Sequence, residues 1–559
     1  MKKLITVFAT LVILVGLLAI SPSEAEGKAA NPATVVYNLY ATDGYMRLAD
    51  GEPLYIYGFV GGRKGEAFTY MPSYNPLTGI QAPNVTLPDA PDPTGGPVTS
   101  AEAVLGGNAQ LPAPVIWATS NDVVEIRLKN LGVQAQPTAP NDPHSIHLHG
   151  LDVDAANDGV PETSIGAVPA NMCVDGSTSN DCTAAGGPAL GAGNVIVYMF
   201  HQTNPGTYMY HCHQEADIHV QMGMYGALVI YNPADAAATS GLGPGRGQGG
   251  TLWGFKYDKD YILLLTEIDV RQHEDEEGTY TPGSVLVRTT SDEVAEVPTS
   301  NNPLAWNPIE YTPQYWLING LSFPNTIHLD TPGVFSYSDW LAAYPNYDAF
   351  IRGSVGTTLA PSYSFYKTPG EKVLIRMINL GFETQPMHIH GFHPKILGVD
   401  QRAWTWANKV VWGRPTPFGV GLEKNTFLIG SGETYDLLMD FGQQALSTPQ
   451  YAPNVVDPET GVALTMWPGS TFGGTQTRYD PTTGQPQANT STSFPAIPDA
   501  GIPGPDLYIG GPVVIGLEGL TQPPGVVGQL FPFHNHDDYK ATNDGAYPGG
   551  MFTMLEAVP

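Results

Sequence analysis

Val124-Glu-Ile-Arg-Leu-Lys-Asn-Leu-Gly132 and Val373-Leu-Ile-Arg-Met-Ile-Asn-Leu-Gly381 are one pattern met twice along the chain. Each reads as a strand of mostly alternating character that ends in a turn. Each also delivers a following strand with a His-x-His-Gly signature: His147-Leu-His149-Gly150 after the first, His388-Ile-His390-Gly391 after the second. A further histidine pair closes each half, His211-Cys212-His213 and His534-Asn535-His536. The sequence therefore repeats a β unit once, and ten of its 14 histidines fall within or beside these four clusters.

At 559 residues the chain is longer than one hydrophobic core ordinarily supports. The expected fold class is all-β: two β-sandwich domains at about 31–235 and 253–559, joined through residues 236–252. Within that connection Ala236 to Gly250 has the composition of a flexible, turn-rich linker. Strand signals in the first domain are Thr34–Tyr40, Leu54–Phe59, Val123–Leu128, Val195–Phe200, Tyr208–His213 and Gly226–Tyr231. In the second they are Tyr261–Ile268, Gln314–Leu317, Val373–Ile378, Tyr435–Met439 and Val513–Ile515. Only 14% of residues are charged, while Gly (64) and Pro (51) are abundant, which favours turns and short strands over long helices. Pro/Gly/Thr-rich insertions near 72–113 and 445–510 are expected to be surface loops without regular structure.

Lys2 and Lys3 precede an apolar run from Leu4 to Ile20, and Ser23-Glu24-Ala25 gives a small-x-small cleavage site. Residues 1–25 thus read as a secretory signal peptide, with an uncleaved membrane anchor as the alternative, and the protein is expected in a periplasm, on a cell surface or in the medium. The formal net charge of −29 repels nucleic acid, gathers cations and keeps an exported protein soluble. In an oxidising compartment Cys173 and Cys182, which flank a polar loop, are expected to form a disulfide. Cys212 is then left over in an exported protein, and metal ligation supplies a reason for it.

In a strand, residues i and i+2 share a face roughly 6–7 Å apart. Each His-x-His pair therefore offers two imidazoles side by side. With Tyr208 to His213 as one strand, alternation sends Cys212 to one face and His211 and His213 to the other. One strand then serves two metal centres, with a short covalent path from the sulfur to either imidazole. A thiolate, two imidazoles and a weak axial thioether make a blue-copper site. Cys212, His219, Met224 and the upstream His144 would supply them, with Met222 competing for the thioether position.

With these motifs in place, the chain resembles the multicopper oxidases, the family of laccases, ascorbate oxidase and bilirubin oxidase. The resemblance covers the motifs and strand order of both halves but not the long insertions. It implies cupredoxin-like Greek-key sandwiches with long loop insertions, and four coppers: one type 1, one type 2 and two type 3. Matched to the family motif H-x-x-H-x-H-G, His144 joins Cys212, His219 and Met224 at the type 1 copper. His147 and His388 fall at type 2 positions, and His149, His390, His211, His213, His534 and His536 at type 3 positions. The Gly223-Met224 pair matches the family motif and favours Met224 over Met222. The loop from Cys212 to His219 is longer than the family's common spacing. In the second half Gln385 stands where His144 would be, Asn535 where Cys212 would be, and Thr542 at the offset of His219. One type 1 copper is therefore expected, in the first domain.

Oxygen reduction consumes protons, and a carboxylate near the metal is the usual source. Asp158, in Asn157-Asp158-Gly159, matches a family position beside the type 2 copper. The same residues also suit a plain Asp-Gly turn, and Asp152 is a weaker candidate. His393 is expected to be supporting or structural, and His201, His273 and His328 ordinary polar residues. With two domains rather than three, the resemblance implies a ring in which domain 1 of one subunit faces domain 2 of the next. That is a homotrimer with three intersubunit clusters. The implied activity is a laccase-like oxidase with Asp158, Cys212, His211 and His213 as its catalytic residues. It would take single electrons from a phenol, an aromatic amine or a metal ion and reduce dioxygen to water. A copper nitrite reductase would need only three histidines outside the type 1 set. A copper-binding or electron-transfer protein would need the type 1 set alone.

Overall fold

The computed structural model describes residues 34–170, 195–279, 311–354, 370–442 and 529–558, apart from short stretches within them. It also describes strand pairs lying between Ser284 and Pro298 and between Thr477 and Ala488. The signal-like N-terminus, the Cys173–Cys182 loop and the Val513–Ile515 segment lie outside the described residues.

Four sheets carry the architecture. The first runs in the order Pro53–Arg63, Val35–Arg47, Val124–Gly132, Val195–Phe200. The second runs Ile116–Thr119, Tyr225–Tyr231, Gly206–His211, His147–His149. The third runs Tyr315–Ile318, Lys259–Ile268, Lys372–Asn379, Thr434–Asp440, Lys395–Val399, Arg402–Ala403. The fourth runs Ile351–Ser354, Phe552–Val558, Gln529–Asn535, Gln385–Ile389, Thr426–Ile429. Sheets one and three share a topology, since the first strand of each half pairs in parallel with the repeated motif strand. Sheets two and four share another, in which a histidine-bearing strand pairs antiparallel with the strand of the closing cluster. The sequence repeat is thus a repeat of two-sheet sandwiches.

The sheets stack in series. Leu39, Phe59, Ile126 and Leu128 of the first pack on Tyr208, Tyr210 and Leu228 of the second. Met209, Ala227 and Val229, on the other face of the second sheet, pack on Ile262, Leu264 and Ile378 of the third. Leu263, Ile375 and Met377 then meet Met387, Phe533 and Leu555 of the fourth. The two inner sheets are buried on both faces, which explains the unbroken apolar runs Tyr261–Leu265 and Ala227–Tyr231. It also explains why the repeated strand loses its alternation in the second copy. Glu125 and Arg127 face partly outward, whereas their counterparts are buried: Arg376 under the first sandwich and Leu374 beneath Leu252 and Tyr257.

Arg376 crosses that interface with a side chain only 1% exposed. Its guanidinium donates to Asp260 at 2.8 Å and to the Thr207 hydroxyl at 3.1 Å, and it lies over the Tyr231 ring. Thr207 in turn donates to Asp436 at 2.6 Å, and Tyr231 to Asp260 at 2.7 Å. A helix at Val270–Glu277 makes a second tie. It is capped by Asp269 at its start and ended by Gly278 at φ 81°, a left-handed value that suits glycine. His273, an ordinary polar residue by its spacing, is buried in this helix and bonds the Tyr55 carbonyl.

The stretch joining the halves is turn-rich but pinned. Ala236–Thr239 is helical, Gly245 N–H donates to Asp260, and Asn346 donates to the carbonyls of Leu242 and Pro244. Composition registers glycine but not the partners that fix it. The 72–113 insertion likewise has structure that its composition hides: Val85–Leu87 pairs with Phe68–Tyr70, and Glu102 forms a fully buried ion pair with Lys129 at 2.7 Å. In the 445–510 insertion, Thr477–Tyr479 pairs with Pro486–Ala488.

Arg376→Leu leaves Asp260 and Asp436 buried without their cation. It is expected to cost on the order of 3–5 kcal/mol, read as a lower denaturation midpoint. A variant as stable as the parent would show that the network does not hold the sandwiches together.

Candidate metal centres

The first centre is built where the second sheet faces the first. Cys212 follows the strand Gly206–His211, and its N–H donates to the Met224 carbonyl at 2.9 Å. His144 precedes the edge strand and is fixed by two backbone bonds to Ala167. His219 ends a short helix at Ala216–His219. These elements bring three donor atoms together inside the core. Nδ1 of His144 and Nδ1 of His219 are 3.3 Å apart, and the Cys212 sulfur lies 3.9 and 3.4 Å from them. All three residues are buried. The backbone of Met224 is bonded to both Cys212 and His219, and the Met222 carbonyl accepts from Tyr57 N–H.

Burial sets the protonation. It pushes the Cys212 thiol up to about 11. It pulls His219 down to about 4 and holds His144 well below the usual histidine range. Two neutral imidazoles and a thiol converging in a dry core are the donor set that a soft metal ion satisfies.

The second centre is a quartet on the opposite side of the same strand. His147 pairs in register with His211. The ring of His147 lies 5.5 Å from His149, 5.1 Å from His211 and 5.1 Å from His213. Alternation along the chain thus separates Cys212 from its neighbours as expected, although the regular strand ends at His211. His147 Nδ1 is 2.9 Å from the Asp158 carbonyl and 3.1 Å from its carboxylate. Gly159 makes this approach possible, because a Cβ there would run into the Ile146 carbonyl. The structure brings Asp158, rather than Asp152, to the quartet. His211 Nδ1 bonds the Cys212 carbonyl at 2.8 Å, which leaves Nε2 as its open nitrogen.

The third centre repeats this in the fourth sheet. His388 lies 4.9 Å from His390, 5.8 Å from His534 and 5.0 Å from His536. His388 Nδ1 meets the Thr426 hydroxyl at 2.8 Å, and His534 Nδ1 meets the Asn535 carbonyl at 2.7 Å. The open nitrogens of His390 and His534 face each other at 3.2 Å. A ring N–H donated from one to the other, or a cation bound by both, satisfies that distance, so the pair can accept a metal.

Between the two quartets lies the third sheet. Sheets stack about 10 Å apart, so the two sets of imidazoles belong to layers on the order of 20 Å apart within one chain. Among the described residues no ring contact joins a first-half quartet histidine to a second-half one.

The position of the first centre is filled differently in the second half. Asn535 and Gln385, both fully buried, are bonded to each other at 2.6 Å, and Gln385 donates on to Glu267 at 2.8 Å. Asn535 N–H donates to the Met551 carbonyl, as Cys212 does to Met224, and the Asn535 amide meets the Met551 sulfur at 3.6 Å. The thioether of the first-half set thus has a counterpart, a feature missed in the sequence although Gly550-Met551 mirrors Gly223-Met224. The counterpart of His219 is Lys540, whose carbonyl accepts from Met551 N–H, rather than Thr542. The loop is shorter here, so a constant offset misplaces it.

Residues 83–234 match the family described as multicopper oxidase. This stretch is similar to the multicopper oxidases and makes up less than half of the chain. The chain is 31% identical over 143 residues to Laccase-7 of Oryza sativa subsp. japonica, which covers 25% of this chain and 22% of the relative. It is 26% identical over 196 residues to copper resistance protein A of Pseudomonas syringae pv. tomato, covering 35% and 24%. The matched stretch thus spans less than a quarter of these relatives' length. Among solved structures, a blue copper oxidase from Nitrosomonas europaea aligns over 93% of this chain and 85% of its own, with 16% identity and a TM-score of 0.42. Each half of the chain is an all-β, two-sheet sandwich.

The protonation of the buried trio makes a quantitative expectation. His144 and His219 are already neutral at pH 7, and only the Cys212 thiol must lose a proton to bind a metal. Affinity of the metal-free protein for copper at this centre should therefore rise roughly tenfold per pH unit between about pH 6 and 9. Competition against a chelator of known affinity measures it, and a slope of zero or of two protons would contradict one neutral thiol beside two neutral imidazoles.

Proposed function

We propose that the protein is an exported, laccase-like multicopper oxidase with four coppers per functional unit. In this reading residues 31–235 form a domain holding the type 1 copper on His144, Cys212, His219 and Met224, together with half of a trinuclear cluster. Residues 253–559 form a second domain that holds the other half. His147, His149, His211 and His213 would ligate from the first domain, and His388, His390, His534 and His536 from the second. Bound copper would supply one-electron acceptance from a phenol, aromatic amine or metal ion and four-electron reduction of dioxygen to water. The chain's own contribution is to keep a thiol and two neutral imidazoles in a dry core, and to lead from Cys212 directly into His211 and His213. Asp158 would hold a proton at the His147 side of the quartet, in a partly open position. The donor would be oxidised in a periplasm, at a cell surface or in the medium.

The observation that carries this reading is the duplicated quartet. Each half presents four imidazoles with neighbouring rings about 5–6 Å apart, yet the halves offer them from layers separated by a sheet. His390 and His536 are exposed, as half-sites awaiting a partner would be. Eight imidazoles can then converge only between chains, which supports a closed homotrimer with three intersubunit clusters. Sedimentation of the copper-loaded protein is expected to give a trimer, and an active copper-loaded monomer would refute the arrangement.

Cys212→Ser should abolish the blue absorption and lower donor-dependent oxygen uptake by at least roughly a hundredfold. Copper analysis should fall by one per chain. A blue, active Cys212→Ser protein would sink the assignment, and two coppers per chain in the parent would favour a nitrite reductase-like centre instead.

A further inference from the structure

His219, the ligand next to the surface, is fully buried, and His144 is 5% exposed. A dissolved donor cannot touch either ring. On one side His219 adjoins Asp142 and the exposed Glu215; on another, both rings meet the first of a ladder of phenols. The Tyr57 ring lies 5.9 Å from His144 and 5.8 Å from His219. Tyr55 lies 5.6 Å from Tyr57, and Tyr45 lies 5.2 Å from Tyr55. The register makes the ladder: Tyr45 and Tyr55 are directly opposed across two strands, and Tyr55 and Tyr57 share a strand face.

Aromatic neighbours at such spacing are ordinary in a core. What marks these three is that each hydroxyl donates to a carboxylate, as Tyr231 does to Asp260 on the far face of the second sheet. Tyr45 donates to Glu277 at 2.7 Å, Tyr55 to Asp43 at 3.1 Å, and Tyr57 to Glu276 at 3.2 Å, with the Pro140 carbonyl at 3.3 Å as a second acceptor for Tyr57. Tyr37, Tyr40, Tyr70, Tyr208 and Tyr210 of the same sandwich give their hydroxyls to backbone carbonyls, which cannot take a proton. Glu276 and Glu277 come from the Val270–Glu277 helix, so the second half of the chain supplies acceptors to phenols of the first. Asp43 is held by the N–H groups of Gln134, Ala135 and Gln136, which fixes its carboxylate beside Tyr55. At its outer end Tyr45 lines a cavity of about 420 Å³, together with Met46, Met71, Phe335, Trp340 and Tyr344.

We infer that Tyr57, Tyr55 and Tyr45 form a proton-coupled electron relay from the type 1 centre to an aromatic-lined cavity that takes a phenolic donor. The inference rests on reading His144, Cys212 and His219 as the ligands of an oxidised copper. Each step moves one electron inward and the phenolic proton of the tyrosine to its paired carboxylate. The phenoxyl radical left behind is reduced by the next tyrosine outward, and the carboxylate returns the proton. At Tyr45 the electron comes from the bound phenol, whose own proton leaves to solvent. The sum is one phenol oxidised to a phenoxyl radical and a proton, and one Cu(II) reduced to Cu(I).

The test uses the copper-loaded full chain, with guaiacol as the donor. Mixed without oxygen, guaiacol should bleach the blue band of the parent. Tyr55→Phe keeps the ring and removes the transferable proton, so it should slow bleaching roughly tenfold or more with the blue band itself unchanged. Tyr45→Phe, at the half-buried outer end, should do the same and guards against a packing defect in the first variant. A second readout is peptide mass mapping after exposure to oxygen without donor: oxidation should mark Tyr45 in the parent and fall there in Tyr55→Phe. Unchanged bleaching rates and unchanged Tyr45 oxidation in a blue variant would overturn the relay alone. A copper-reconstituted parent with no blue band would overturn the type 1 reading and the relay with it.

Discussion

The contact between the second and third sheets is the constraint on which the rest depends. Each half is a complete sandwich, but both present an apolar sheet face that only the other half covers, through Met209, Ala227 and Val229 against Ile262, Leu264 and Ile378. At roughly 25 cal/mol per Å² of apolar surface removed from water, a contact of this extent fixes the halves relative to each other. The buried Arg376 network adds direction to it: a misplaced interface would strand a guanidinium and two carboxylates in a dry core. Because the layers are locked in series, the two histidine quartets cannot turn toward each other within a chain. The stack also brings the Val270–Glu277 helix over the first sandwich, where Glu276 meets Tyr57, the ring that lies against both histidines of the buried trio.

The fold and the grouping of the histidines and Cys212 were legible in the sequence because both follow short periods. The histidine pairs at i and i+2 mark strands, and the single residue between His211 and His213 marks the opposite face. Several strand boundaries fell close to those observed, with Val195–Phe200 matching outright and Tyr208–His213 overrunning by two residues, but Thr34–Tyr40 and Leu54–Phe59 stopped well short of Arg47 and Arg63. The loss of the first-centre ligands in the second half could be read at Gln385 and Asn535. The retained Met551 could have been read as well, from the glycine before it.

What stayed hidden depends on long-range packing. The Val270–Glu277 helix carries an acidic run that looks like a solvated face, and only the tertiary structure shows two of those carboxylates accepting from Tyr45 and Tyr57. His273 has no partner by spacing and is nonetheless fixed to Tyr55 across the interface. Lys129 sits at an outward position of the alternating pattern, but an insertion folds over it and brings Glu102 into contact. Composition marked that insertion as loop because glycine and proline dominate it, and a single buried charge pair is too sparse a signal to override that.

The amide pair at Asn535 and Gln385 separates the two halves in how they mature. In the second sandwich these side chains cross-link the same strands that a metal would bridge, and they are satisfied as soon as the chain is folded. In the first sandwich Cys212, His144 and His219 could hold an ion, which would complete their bonding only once bound. At this one position, then, a missing ion would loosen the core of the first sandwich and leave the matching core of the second intact.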